Sequence, residues 1–100
     1  MVRIPDVNPP LEGKGIRVDA EGVAVAVFRI AGSLYAIEAT CPHMRGPLEG
    51  GRVNAMTVEC PWHGSIFSVE SGKVLRGPAT VPVHAYRARA EGTTLVLDRA

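Results

Sequence analysis

The chain has 100 residues, with 11 Lys and Arg against 10 Asp and Glu, a formal net charge of +1, and 46% hydrophobic residues. That length is expected to give one unit over residues 1–100 with a single modest core, and the evenly spread charge excludes the basic patch that nucleic acid requires. No apolar run reaches the length of a membrane span, and neither an apolar leader core nor a twin-arginine pair opens the sequence, so no membrane association and a cytoplasmic location are expected.

Val2 to Ile4 reads as a short edge strand, ended by Pro5 and by the Pro9-Pro10 pair. Gly15 to Asp19 alternates, with Ile16 and Val18 on one face and Arg17 and Asp19 on the other, which is the pattern of a half-buried strand. Ala20-Glu21-Gly22 turns the chain into Val23–Ile30. There Val23, Val25 and Val27 share one face and Ala24, Ala26, Phe28 and Ile30 the other, so both faces are apolar and a central strand is expected. Gly32-Ser33 is a turn, and Leu34–Glu38 the returning strand.

Thr40 to Gly51 is rich in Gly and Pro, lacks periodicity and reads as a long loop. In Met56–Cys60 the parity sets Met56, Val58 and Cys60 inward and Thr57 and Glu59 outward. Ser65–Val69 and Lys73–Leu75 flank Glu70-Ser71-Gly72 as a hairpin. Arg76-Gly77-Pro78-Ala79 is a further loop, and Val81–Arg89 and Leu95–Asp98, joined at Glu91-Gly92, form a last hairpin. No segment repeats and none carries a helical stripe. Short strands with a turn every 8–12 residues predict an all-β fold, a small antiparallel sandwich or barrel.

The chemistry is concentrated in two windows. Cys41-Pro42-His43 is answered by Cys60-Pro61-Trp62-His63, and these hold both cysteines and two of the three histidines. Two thiolates and two imidazoles are ligands that zinc or an iron–sulfur centre uses. The alternative is two reduced core cysteines beside two unrelated surface histidines, which the matched Cys/His pairing disfavours. A single zinc needs all four side chains to converge on one point, and its common spacings group Cys with Cys and His with His.

Cys41-Pro-His-Met-Arg-Gly-Pro-Leu48 and Cys60-Pro-Trp-His-Gly-Ser65 resemble the two cluster-binding loops of Rieske [2Fe–2S] proteins. The resemblance covers nearly the whole chain. It implies a small β-fold with the two loops at one tip and one [2Fe–2S] cluster, with Cys41 and Cys60 on the buried iron and His43 and His63 on the outer one. It also implies that residues 76–79 close over the cluster from a third side. Rieske subunits of membrane-bound cytochrome bc-type complexes add a second, disulfide-forming cysteine to each loop. Here Gly46 (within a residue or so) and Trp62 stand at those places, which points to the soluble ferredoxin-like branch. Two ligand cysteines also leave no disulfide framework, consistent with a reducing compartment.

In high-potential members of that family the residue matching Ser65 and a Tyr two positions on both donate hydrogen bonds to cluster sulfur. This chain keeps Ser65 but has Phe67, which has no proton to donate, so a potential in the lower part of the family's range is implied. A simple backbone-bonded hydroxyl is the alternative for Ser65. His84, remote from both loops, reads as a partly exposed strand residue and not as a ligand. Met44, Pro47, Leu48, Trp62 and Pro78 read as a shield over the cluster or as a small apolar docking patch, with Arg45, Glu49 and Arg52 as its charged rim.

The implied function is that of a one-electron carrier and not an enzyme. It takes electrons from a flavoprotein reductase and passes them to a terminal oxidoreductase, most simply a ring-hydroxylating oxygenase. The oxygenase's own iron would need two further histidines and a carboxylate, and only His84 is left over. The rival readings are a Rieske-like small subunit of a nitrite reductase or similar assembly, and a structural zinc module.

Overall fold

The computed structural model describes residues 1–41, 46–62 and 64–99. Ten strands form two antiparallel sheets: β1 (Val2–Ile4), β2 (Gly15–Ala20), β3 (Val23–Ile30), β4 (Ser33–Glu38), β5 (Arg52–Asn54), β6 (Thr57–Glu59), β7 (Ile66–Ser68), β8 (Val74–Arg76), β9 (Ala85–Glu91) and β10 (Thr94–Arg99). The first sheet runs β1-β10-β9-β4-β3-β2 and the second β5-β6-β7-β8. The second is thus an insertion between β4 and β9, and the all-β antiparallel expectation holds.

β3 shows how the sequence builds this arrangement. Its even residues, Ala26 and Phe28, enter a core shared with the inserted sheet, while Val25 and Val27 enter a second core on the other face with Ala36, Leu95 and Leu97. The unbroken apolar run Val23–Phe28 is what a strand between two cores requires, and Arg29 follows it near the strand's end. The first core contains Ile37, Ala39, Leu48, Val58, Phe67 and Val69 together with both cysteines.

The structure departs from the sequence reading at five places. The segment Thr40–Gly51 is more ordered than its composition suggests: Leu48–Gly50 forms a 3₁₀ turn, and Leu48 N–H bonds the Ala39 carbonyl at 2.8 Å. Leu48 is fully buried in the core, which fits its reading as a shield and excludes it from a docking patch. β5 has no counterpart in the sequence reading, because three residues with one apolar member carry no period. The strand expected over Val81–Arg89 begins only at Ala85, since Pro82 offers no N–H and Val83 N–H is spent on the Gly72 carbonyl at 3.0 Å. The turn beyond it falls at Gly92-Thr93, one residue later than expected.

Candidate metal centre

Each described site residue continues a strand's inward parity. Ile37 and Ala39 point into the first core from β4 and its extension, and Cys41 follows at the same parity, fully buried. Val58 of β6 leads to Cys60 in the same way, and Phe67 and Val69 share their parity with Ser65. The alternation that makes a half-buried strand therefore also delivers two thiols and a hydroxyl into one interior.

The backbone pinches both loops alike. Cys41 N–H donates to the Gly46 carbonyl at 3.0 Å, and Cys60 N–H donates to the Ser65 carbonyl at 2.7 Å. In each case a cysteine bonds the carbonyl five residues on. A bridge between Thr40 and Pro47 closes the first loop at its root, and the β6–β7 hairpin closes the second. Gly64, at φ +77°, turns the second loop back in a conformation that side chains rarely adopt.

Gly46 answers to a different constraint. A β-carbon built on it would lie 2.6 Å from Cys60 Sγ and 3.2 Å from Trp62 Cγ, so only a residue without a side chain lets the first loop approach the second this closely. Both cysteines are reduced and buried. Burial pushes the Cys60 thiol above its ordinary 9.0; the Trp62 backbone N–H directed at its sulfur works the other way, and the adjacent Cys41 thiol raises it further. Two thiols side by side, with a backbone donor aimed at one of them, suit a pair of thiolates bound to iron: the metal removes both protons and takes up the negative charge.

Ser65 is fully buried and its Oγ accepts the Ala79 N–H at 3.0 Å. This bond ties the 77–82 segment to the second loop and leaves the hydroxyl proton free to be donated. Trp62 is 49% exposed and Pro78 is exposed, while Pro47 is half-buried. Arg52 is exposed as a rim residue would be, but Glu49 is mostly covered: one carboxyl oxygen lies 3.9 Å from Arg17, and the other is buried without a hydrogen-bond partner among the described residues. His84 is exposed and precedes β9, its N–H bonded to the Glu38 carboxylate at 2.7 Å. His43, Met44, Arg45 and His63 lie outside the described residues, and among those described no three metal-ligating side chains cluster. The Ala79 donor and the Gly46 contact escaped the sequence reading. Both are backbone features, visible in sequence only as the loop 76–79 and as a glycine.

No helix among the described residues is long and apolar enough to cross a membrane. The family model for the Rieske [2Fe-2S] domain matches residues 3–87. The 3-phenylpropionate/cinnamic acid dioxygenase ferredoxin subunit of Escherichia coli (strain K12) is 38% identical over 88 residues, covering 87% of this chain and 82% of that protein. The ferredoxin of carbazole 1,9a-dioxygenase from Nocardioides aromaticivorans IC177 superposes with a TM-score of 0.82 at 29% identity, covering 100% of this chain and 97% of that one. A chain from the complex of reduced oxygenase and oxidized ferredoxin in carbazole 1,9a-dioxygenase gives 0.82 at 28% identity, covering 96% and 99%. The chain belongs to the Rieske [2Fe–2S] domain family, carries that family's [2Fe–2S] cluster, and stands with the electron-transferring ferredoxin subunits of dioxygenase systems and not with their catalytic subunits.

Proposed function

We propose that this ferredoxin carries single electrons from a flavoprotein reductase to the terminal oxygenase of a ring-hydroxylating system, in the cytoplasm, with residues 1–100 acting as one Rieske unit. The observation that carries the reading is the pair of pinched loops, which set Cys41 and Cys60 side by side in the core while Trp62 and Pro78 remain open to a partner. In this reading Cys41 and Cys60 hold the inner iron and His43 and His63 the outer one. The bound cluster supplies reversible one-electron chemistry. The chain's own work is to fix the four ligands, to exclude water with Leu48, Phe67 and Val58, and to offer the Ser65 hydroxyl proton to a cluster sulfur while Ala79 N–H holds its oxygen. Reduced free cysteines agree with a cytoplasmic location.

A reconstituted assay tests this. Purified reductase and oxygenase of a dioxygenase system should couple nicotinamide oxidation to ring hydroxylation only when the loaded ferredoxin is added. A chain that is reduced but hands its electron to no oxygenase, and that purifies instead in fixed stoichiometry with a large flavin and haem nitrite reductase, would overturn it.

A further inference from the structure

We propose that Trp62 is a positioning residue for the cluster: its side chain, seated on Gly46, clasps the first loop to the second and sets how long the cluster is retained. This rests on the reading of Cys41 and Cys60 as ligands. The two loops spring from different sheets, the first from β4 and the second from β6 and β7. Each is pinched by its own backbone bond, yet no backbone hydrogen bond joins loop to loop among the described residues. What joins them is packing. Gly46 is buried, and the space its missing side chain would fill is bounded by Cys60 Sγ, Trp62 Cγ and Trp62 Cβ, the last 3.3 Å from the ideal β-carbon position.

Trp62 therefore touches both sides of the centre. The root of its side chain lies with Cys60 Sγ along the space that a β-carbon on Gly46 would fill, at the end of the Cys41 loop. An aromatic group on a glycine backbone covers apolar area at small cost in side-chain entropy, which suits a clasp that must hold without a covalent bond. At 49% exposure Trp62 leaves its outer part in solvent while its root stays beside Gly46.

Cluster release into an excess of a ferrous-iron chelator, followed by loss of visible absorbance, tests the clasp on loaded wild type, Trp62→Phe, Trp62→Ala and Gly46→Ala. Release should quicken by about tenfold in Trp62→Ala and stay near wild type in Trp62→Phe, because the phenyl ring keeps the contact. Gly46→Ala should release faster too, since its new methyl displaces either Cys60 Sγ or Trp62. Hydrogen exchange of the segment carrying the Cys41 amide should rise in Trp62→Ala while exchange in β3 stays unchanged. The proposal is overturned by wild-type release from either alanine variant, by failure of phenylalanine to rescue, or by an equal rise in β3 exchange, which would mark a general loss of stability. Iron and sulfide in the wild type are measured first. Their absence would overturn the ligand reading and the clasp with it, whereas full loading with unaltered release in the variants overturns the clasp alone.

Discussion

Ser65 has one oxygen and two claims on it. Its lone pair takes the Ala79 N–H, and its proton is free for a cluster sulfur. Removing it should act twice. Ser65→Ala orphans a buried amide, which costs about 1–3 kcal/mol of stability, and withdraws a donor that favours the more negative reduced cluster. A melt should therefore fall, and voltammetry at fixed pH should show a lower potential. Phe67→Tyr should move the potential the other way. Phe67 is fully buried in the core that also holds both cysteines, so a hydroxyl there is driven to find an acceptor. Rieske centres span about −150 to +300 mV, and about 1.4 kcal/mol corresponds to roughly 59 mV for one electron, so shifts of several tens of millivolts are expected. No movement in either variant would show that hydroxyl donors do not set this potential. The Ser and the Phe were legible through the resemblance of the second loop to a Rieske cluster loop. The amide that fixes the Ser was not, because it arrives from 14 residues away through a loop with no period.

Strands were legible where their residues alternate or where both faces are apolar. β3 is the clearest case, since Val25 and Val27 on one side and Ala26 and Phe28 on the other could only be buried by two cores. Short elements defeated the same logic. The 3₁₀ turn is held by the ladder that continues β4 through Ala39 and Thr40, and β5 by its hairpin with β6 across Ala55-Met56, and three residues with one apolar member reveal neither partner. Of the two readings of Leu48, shield or docking patch, burial leaves the shield, because the turn drives it into the core. Leu48→Ala should cost about 2–5 kcal/mol in chemical denaturation, because it empties space in the core that holds both cysteines. A loss within the range of an exposed leucine would contradict the buried position.

At the scale of the molecule, cluster and fold are linked through the thiols. In the cluster-free chain, burial holds the Cys60 thiol above its ordinary 9.0. A group whose folded value is raised stabilises the fold fully below its unfolded value, and that contribution is lost as pH rises through the folded value. The cluster-free protein should accordingly keep its melting temperature from neutral to about pH 9 and lose it as pH rises further, and a cluster-free Cys60→Ala variant should show a shallower decline. Loading needs the thiolates, so it releases protons and reverses the dependence: reconstitution should gain with pH over the same interval.

The central claim is that two loops from two sheets hold one cluster with two cysteines on one iron and two histidines on the other. Low-temperature EPR of the one-electron-reduced protein, with iron and sulfide counted on the same sample, tests it most directly. An average g value below that of an all-cysteine [2Fe–2S] cluster is predicted, because imidazole is the weaker donor to the reducible iron, and the signal should be lost in His43→Ala and in His63→Ala but kept in His84→Ala. Stoichiometric zinc without iron, or an unchanged signal in both ligand variants, would contradict the account.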